Sequence, residues 1–154
     1  MLDHPDVEVR VSGVHGRGAF ARRPFAAGEP VIAQEGRLHR AATIPDHVKG
    51  LQVGQGLWLL ADPDDPHPSD EINHACEPNL GHLDGTLLLF ALRPIAAGEE
   101  LTFDYSTVLD EPGWSIPCAC GLPTCRGAIQ AWSDLPPAVR DALRHRALAW
   151  LRDR

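Results

Sequence analysis

Residues 71–79 read E-I-N-H-A-C-E-P-N, and this stretch decides how the rest of the chain is interpreted. It is too polar for a strand of the core and too specific in its residue types for a linker. Asn73 and His74 offer amide donors and acceptors together with an imidazole, which can hydrogen-bond an adenine ring and an amino group. A lone Asn-His pair would more simply form an Asx turn with a core histidine, so the choice depends on the segments that accompany it.

The four cysteines are the next informative feature. Three of them lie within C-A-C-G-L-P-T-C at 118–125, and the fourth lies within the polar stretch itself. The N-terminus has acids and a proline where a signal peptide needs basic residues and an apolar core, so we expect a reducing compartment without disulfides. A structural zinc ion needs four soft ligands in a tetrahedron. The sequence therefore predicts a zinc site, the alternative being a set of buried free thiols. The predicted ligands are Cys76, Cys118, Cys120 and Cys125.

The composition excludes several classes of protein. With 154 residues, of which 44% are hydrophobic and 23% charged, the chain is long enough for one globular domain and is not wholly disordered. It has no apolar run of about 18 residues, so we expect no membrane association and a cytoplasmic, intracellular location. The formal net charge of -7 disfavours direct nucleic acid binding, which needs clustered Lys and Arg, and it suits a cationic partner.

The hydrophobic patterning predicts a mainly β protein with one C-terminal α-helix. Short alternating or apolar runs, separated by turns rich in Gly and Pro, predict the strands. They lie at residues 7–11, 30–35, 57–61, 85–93 and 101–105. Over residues 136–151, apolar side chains recur on one helical face, which predicts a continuous helix. That face consists of Val139, Leu143, Ala147 and Trp150 or Leu151.

Four segments of the chain, in this order, resemble the SET-domain lysine methyltransferase family, which transfers a methyl group from S-adenosylmethionine to lysine. They are H-G-R-G-A-F-A at 15–21, N-H-A-C-E-P-N at 73–79, G-E-E-L-T-F-D-Y at 98–105 and C-A-C-G-L-P-T-C-R-G at 118–127. The resemblance covers about residues 7 to 130. It implies the SET-domain fold, several small curved sheets in which one segment threads beneath another as a pseudoknot.

The resemblance also divides the chain into three parts that we expect to form one compact unit. They are a SET domain over residues 1–117, a post-SET zinc-binding turn over 118–132 and the C-terminal helix over 133–154. It implies that Cys76 leaves the polar stretch to share the zinc ion with the post-SET turn, so that one loop serves the cofactor and the metal. Removing zinc should therefore weaken cofactor binding as well as the fold.

A binding site for S-adenosylmethionine is the next implication of the resemblance. Gly16, Arg17 and Gly18 form the turn whose backbone cradles the methionine end of the cofactor, since glycine allows close backbone approach. Asn73 and His74 are implied to hold the cofactor from the polar stretch.

Tyr105, the single tyrosine of the chain, is the implied catalytic residue and also touches the cofactor. Methyl transfer from a sulfonium is an in-line displacement that gains most from alignment and from the exclusion of water. The lysine must attack as a neutral amine, and an apolar channel lowers its pKa by desolvation. The implied channel residues are Phe103, Trp58 and Ile129, with Trp132 as the alternative to Ile129. Phe103, at a position where the family carries Phe or Tyr, indicates dimethyl or trimethyl products.

Departures from the family pattern bear on the substrate. The family often has one tyrosine after its third strand and another before the Asn-His motif, whereas residues 32–36 read I-A-Q-E-G and Trp58 stands in the second region. The insert between residues 36 and 70, which usually forms much of the peptide groove, is short. The leading hypothesis is a protein-lysine methyltransferase acting on a lysine-bearing basic protein or peptide. The alternatives are a methyltransferase for a small-molecule amine and a non-catalytic zinc-stabilised binding module.

Overall fold

Four small β-sheets form the framework of the protein in a computed structural model that describes residues 3–45 and 47–154. The strands are β1 Val7–Val11, β2 Arg17–Ala21, β3 Pro30–Ala33, β4 Arg37–Arg40, β5 Gly50–Gly54, β6 Leu57–Leu60, β7 Asn73–His74, β8 Leu80–Gly81, β9 Leu88–Ala91, β10 Glu100–Phe103, β11 Ser115–Pro117 and β12 Ala128–Gln130. The helices are α1 Pro137–Leu143 and α2 Ala149–Arg152, with short 3-10 helices at Pro68–Glu71, Tyr105–Thr107, Trp132–Asp134 and Arg144–Arg146. The prediction of a mainly β fold with several small sheets and a helical C-terminal segment is confirmed.

The four-stranded sheet, in the order β1-β2-β10-β7, brings the polar stretch to the strand that leads to Tyr105. β2 is antiparallel to both β1 and β10, whereas β7 is parallel to β10. In the parallel pair Asn73 lies beside Thr102 and His74 beside Phe103. A parallel pair needs a long crossover connection, and here that connection contains β8 and β9. The remaining sheets are β3-β9-β8, β4-β6-β5 and β11-β12.

The main hydrophobic core is built from short strands that bury alternate or consecutive apolar residues. Among its fully buried side chains are Val7, Ala19, Leu80, Leu89 and Leu101. The strand predicted at 85–93 is present but shorter, Leu88–Ala91. It starts later because Gly85 has a φ of +75° and closes a turn by donating its N–H to the carbonyl of His82 at 3.0 Å.

The C-terminal segment is helical, but the prediction of one continuous helix over 136–151 is wrong. Between α1 and α2 lie a 3-10 turn and two non-helical residues, Ala147 in extended conformation and Leu148 with a ψ of 144°. The N–H of Leu148 donates to the carbonyl of Thr107 at 3.1 Å. This tertiary hydrogen bond replaces one that a helix would have made, so a local helical preference gives way to docking on the domain.

The apolar face predicted for the C-terminal segment is nevertheless buried. Leu143, Ala147 and Leu151 pack with Trp132 and Leu135 in a second core cluster. Trp132 is fully buried in this cluster and does not line the cavity described below. Of the two alternatives for the channel, Ile129 and not Trp132 reaches the cavity wall.

Two side chains of α2 anchor the C-terminal segment to distant parts of the fold. The indole N–H of Trp150 donates to the carbonyl of Gln52 at 3.1 Å, and the guanidinium of Arg152 donates to the carbonyl of His82 at 2.7 Å. The segment therefore ties β5 to the turn that follows β8. Across the described residues, no helix has the length and apolar character needed to cross a membrane.

Candidate functional site

A cavity of about 720 Å³ lies where most of the predicted site residues meet. Its wall is drawn from the turn before β2, the segment before β5, the β7–β10 pair and β12. The predicted cofactor and channel residues in this wall are Gly16, Arg17, Trp58, Asn73, His74, Phe103, Tyr105 and Ile129. Segments far apart in sequence thus share one concave surface, the usual setting of a small-molecule site.

Gly18 is the predicted cofactor residue that does not line the cavity. It is buried in β2, and a Cβ atom at this position would collide with the carboxylate of Glu100 in β10. A side chain at position 18 would therefore have to displace the Glu100 carboxylate, which Ser12 and Asn73 hold by hydrogen bonds. Gly16, by contrast, has a φ of +51° and open space where a Cβ would project, so its backbone faces the cavity without obstruction.

Asn73 braces the glycine-containing turn against β10. Its side-chain amide donates to the carbonyls of His15 at 3.1 Å and Arg17 at 2.9 Å, and to Oε1 of Glu100 at 2.9 Å. The hydroxyl of Ser12 donates to the same Glu100 oxygen at 2.7 Å. Sequence reasoning missed Glu100, although it lies inside the recognised segment at 98–105. These hydrogen bonds fix the turn before any ligand arrives.

His74 uses both ring nitrogens inside the chain. Its Nδ1 accepts the backbone N–H of Tyr105 at 3.1 Å, which leaves the proton on Nε2, 3.4 Å from the sulfur of Cys76. Burial lowers the pKa of His74 to about 4, against the opposing charge of Asp104, so the ring is neutral near pH 7. His74 thereby links the start of the Tyr105 turn to a thiol of the cysteine cluster.

Tyr105 lies in the cavity wall with its hydroxyl already oriented. The hydroxyl donates to the carbonyl of Ile72 at 2.8 Å, and the ring contacts those of His74 and Phe103 at centroid distances of 5.4 and 5.0 Å. Burial, reinforced by the charges of Glu71 and Glu100, raises the pKa of Tyr105 well above its usual range. The side chain is therefore a neutral phenol at physiological pH, suited to orienting a group by hydrogen bonding and unsuited to acting as a phenolate base.

The predicted channel residues form an apolar part of the wall. Phe103 is 2% exposed and meets the ring edge of His82, which is itself fully buried behind it. Trp58 is equally buried and its indole N–H donates to the carbonyl of Ala41 at 3.0 Å. With Ile129 they provide a surface that strips water from a group inserted beside Tyr105.

The four cysteines come together as predicted. Their sulfur atoms all lie within 4.8 Å of one another, and those of Cys76 and Cys118 are 3.7 Å apart. Four thiolates at about 2.3 Å from a tetrahedral Zn²⁺ place their sulfurs about 3.8 Å apart, which matches this separation. All four are free cysteines, and burial raises the pKa of the Cys118 thiol to about 12. The cluster can hold a structural metal such as Zn²⁺, whose binding would displace those protons.

The structure contains a buried ion pair beside the cysteine cluster, and the sequence did not predict that its two residues interact. Asp104 and Arg126 form two parallel hydrogen bonds of 2.7 and 2.9 Å, and the Asp104 side chain is fully buried. The sequence signal was the position of the two residues: an acid directly before Tyr105 and an arginine directly after Cys125. Their partnership could not be deduced because 22 positions separate them.

Comparisons with known proteins agree with this geometry. The family model described as "SET domain" matches residues 16–106. Histone-lysine N-methyltransferase 2B of Homo sapiens is 36% identical over 135 residues, which cover 78% of this chain and 5% of that protein. Histone-lysine N-methyltransferase ash1 of Drosophila melanogaster is 45% identical over 144 residues, covering 81% of this chain and 6% of that protein. This chain thus spans a small part of the length of the curated relatives it matches.

Solved structures share the fold. The crystal structure of KRYPTONITE in complex with mCHG DNA and SAH has a TM-score of 0.64 at 26% identity, covering 80% of this chain and 28% of that chain. The methyltransferase domain of human histone-lysine N-methyltransferase SETMAR has a TM-score of 0.60 at 21% identity, covering 81% and 58%, a likeness that concerns the fold alone. Since the family match extends over more than half of the 154 residues and contains the β7–β10 pair and Tyr105, the chain belongs to the SET domain family.

Proposed function

We propose that this protein is an S-adenosylmethionine-dependent protein-lysine N-methyltransferase. The observation that carries the proposal is the single cavity in which Tyr105 and Phe103 meet the turn at 16–17 and the Asn73-His74 pair. The names of the relatives, histone-lysine N-methyltransferases, support the reaction class. KRYPTONITE has been crystallised with SAH and, in a second structure, with an H3(1-15) peptide, which supports a sulfonium cofactor and a lysine-bearing peptide substrate.

The donor set of the cavity fits S-adenosylmethionine. We propose that Gly16 and Arg17 receive its amino acid end, with the backbone approachable at Gly16 and a cation available at Arg17. Asn73 and His74 would hold the cofactor from β7, while their side chains keep the neighbouring turn and Tyr105 in place. When bound, the cofactor supplies an electrophilic methyl group on its sulfonium.

The chain's own residues would prepare a lysine for attack in three steps. Glu35, Asp70 and Glu71 in the cavity wall attract the cationic side chain. Deeper in, Phe103 and its apolar neighbours remove water, which lowers the pKa of the lysine towards neutrality and favours the free amine. The neutral hydroxyl of Tyr105 then orients that amine in line with the methyl group. Because Phe103 carries no hydroxyl, we propose that the channel accepts lysines already methylated once or twice.

The division of the chain into parts, its location and its relation to nucleic acids are also matters of proposal. We propose a SET domain over 1–117 and a zinc-binding turn over 118–132, supported at the second range by the cysteine cluster. An intracellular location is supported by four free thiols, which persist in a reducing compartment. The absence of nucleic acid binding stays a prediction from the net charge. Because KRYPTONITE was crystallised with DNA, a gel-shift assay should test this prediction directly.

The decisive experiment measures methyl transfer from radiolabelled S-adenosylmethionine to lysine peptides, with a panel of small amines in parallel. Wild-type protein should bind S-adenosylhomocysteine one to one by calorimetry and label peptides. Tyr105→Phe should keep that affinity within about threefold and lose about a hundredfold in turnover, the scale of a positioned acid-base or orienting group. Transfer to small amines alone would assign the small-molecule alternative. A fully metal-loaded protein that binds neither ligand would contradict the proposal and favour a non-catalytic module.

A further inference from the structure

The buried pair of Asp104 and Arg126 is a second connection, beside that of His74, between the cysteine cluster and the Tyr105 turn. The two guanidinium nitrogens meet the two carboxylate oxygens at 2.7 and 2.9 Å, the fork arrangement that fixes both groups in direction as well as distance. The Asp104 side chain is 0% exposed and that of Arg126 is 18% exposed. A contact of this kind transmits displacement, because neither partner can turn away into water.

At one end, Arg126 is attached to the cysteine cluster through its backbone. It directly follows Cys125, and its N–H points at the sulfur of Cys76, 3.4 Å away. The position of Arg126 is therefore set by the same thiols that can hold the metal. Its side chain also reaches the hydroxyl of Ser106 at 3.4 Å.

At the other end, Asp104 caps the short 3-10 helix that begins with Tyr105. Its Oδ1 accepts the N–H of Ser106 at 3.0 Å, and its carbonyl accepts the N–H and the hydroxyl of Thr107 at 3.0 and 2.6 Å. The same Oδ1 lies 3.6 Å from Nδ1 of His74, the atom that accepts the N–H of Tyr105. The carboxylate thus determines where the Tyr105 turn starts.

We infer that Arg126 is a positioning residue that carries the placement of the thiol cluster to Tyr105 and His74. Without the guanidinium of Arg126, the Asp104 carboxylate stays buried but loses its paired cation and two hydrogen bonds, a strongly unfavourable state that it relieves by moving. That movement weakens the cap on the Tyr105 turn and shifts the tyrosine ring. The consequence for cofactor affinity rests on the proposed function, whereas the displacement of Tyr105 does not.

The sole tyrosine of the chain makes the inference measurable without any assay of activity. Protein grown with ¹³C-labelled tyrosine gives one set of ring resonances, all from Tyr105. Three variants are compared with wild type for those resonances, for bound zinc per chain and for S-adenosylhomocysteine affinity. Arg126→Gln removes the charge, Arg126→Lys keeps the charge without the fork, and Arg23→Gln removes a half-buried pair with Asp6, remote from the site, as the matched control.

The expected result is that Arg126→Gln keeps one zinc per chain, because the four sulfurs and the backbone N–H remain, while its Tyr105 resonances shift. Its affinity for S-adenosylhomocysteine falls about tenfold or more, the scale found when a group that orients a ligand-binding residue is removed. Arg126→Lys lies between Arg126→Gln and wild type in both measurements, and Arg23→Gln matches wild type.

Three outcomes would overturn the inference. One is a folded, zinc-loaded Arg126→Gln protein with unshifted Tyr105 resonances and an affinity within twofold of wild type. Another is loss of zinc from the same variant, which would make Arg126 a stabiliser of the cluster. If Arg126→Gln does not fold, the test falls to Arg126→Lys. The third contradicting outcome would then be an Arg126→Lys protein whose Tyr105 resonances are those of wild type. A wild-type protein that binds zinc but no S-adenosylhomocysteine refutes the proposed function and leaves the tyrosine comparison valid.

Discussion

The two walls of the cavity are built in different ways. The inner wall, residues 15–17, 72–76 and 103–105, is joined by hydrogen bonds between side chains and backbone groups that are up to 58 positions apart. The outer wall, residues 41–45 and 47–49, contains no buried residue among those described. Its contacts with the rest of the fold include the Trp58 indole on the Ala41 carbonyl and an ion pair between Lys49 and Glu71 at 2.9 Å, in which the lysine is 58% exposed. Two backbone hydrogen bonds at its ends, of Ala41 with Gly56 and of Lys49 with Ala61, add to the attachment.

This contrast indicates which part of the site is constrained. Removing one partner of a buried polar contact leaves the other unsatisfied and costs about 1–3 kcal/mol, whereas an exposed ion pair contributes about 0–1 kcal/mol. Substitutions in the inner wall should therefore lower the stability of the whole protein. Changes in the outer wall should be tolerated, which would allow the substrate to vary while the chemistry stays the same.

The largest effect is expected where the inner wall joins the cysteine cluster. Cys118→Ser should release the metal and lower the melting temperature by about 10 °C or more, because binding of a structural zinc ion is also folding free energy. Elemental analysis and a thermal melt measure both quantities. Ser115→Ala, at an exposed strand position three residues earlier, is the control and should change neither. A Cys118→Ser protein with wild-type zinc content would remove Cys118 from the ligand set.

A pH-dependent effect is expected behind the inner wall, at His82. Burial lowers the pKa of His82 to about 4, against smaller raising effects of the Arg146 backbone and Asp84, while the unfolded residue titrates near 6.5. The unfolded chain therefore binds the proton first, so stability is fully present above about pH 6.5 and is lost as pH falls towards 4. The total loss from this group is on the order of 3 kcal/mol.

Urea unfolding at a series of pH values tests the effect of His82. Between pH 6.5 and 4, the free energy of unfolding should fall more steeply in wild type than in His82→Leu, since the leucine cannot titrate. The difference in slope should correspond to the uptake of about one proton on unfolding. The other histidines are common to both proteins and cancel in the difference. Equal slopes for the two proteins would mean that His82 titrates normally in the folded state.

A smaller effect is expected at Asn73, which joins three acceptors of the inner wall. Asn73→Ala should lower the free energy of unfolding by about 2 kcal/mol, because two carbonyls and the Glu100 carboxylate lose a shared donor. Affinity for S-adenosylhomocysteine should fall with it if the turn at 15–17 loosens. Thr86→Ala, whose hydroxyl bonds an exposed loop carboxylate, is a control of similar chemistry. Equal losses in the two variants would contradict the special status of the inner wall.

The smallest effect is expected at Lys49 in the outer wall. Lys49→Met keeps the length of the side chain and removes the ion pair with Glu71, so unfolding should change by less than about 1 kcal/mol. Affinity for S-adenosylhomocysteine should be unchanged, and any effect should fall on the peptide KM. A loss of stability as large as that of Asn73→Ala would show that the two walls are equally constrained.

The sequence was sufficient to predict the site residues that belong to short contiguous motifs. The cysteine turn, the polar stretch and the segment ending at Tyr105 were recognisable alone, and their residues meet in one place. It was insufficient where a role depends on a partner far along the chain. Neither the Asp104–Arg126 pair nor the reason for Gly18 follows from local pattern, because each is a contact between elements. The continuous C-terminal helix was predicted wrongly for the same reason: Leu148 bonds Thr107 instead of its own helix.

The anchors of α2 have a consequence for the order in which the protein can mature. Trp150 bonds a carbonyl 98 positions before it, and Arg152 one that lies 70 positions before it. At about 5–20 residues per second, a ribosome adds Trp150 roughly 5 to 20 seconds after Gln52. In the last part of that interval, about 1 to 4 seconds between the addition of Gln130 and that of Trp150, the nascent chain contains β1 to β12 but lacks the groups that bond the carbonyls of Gln52 and His82. During synthesis the sheets therefore lack the hydrogen bonds from α2, and their surface stays accessible to chaperones until α2 emerges.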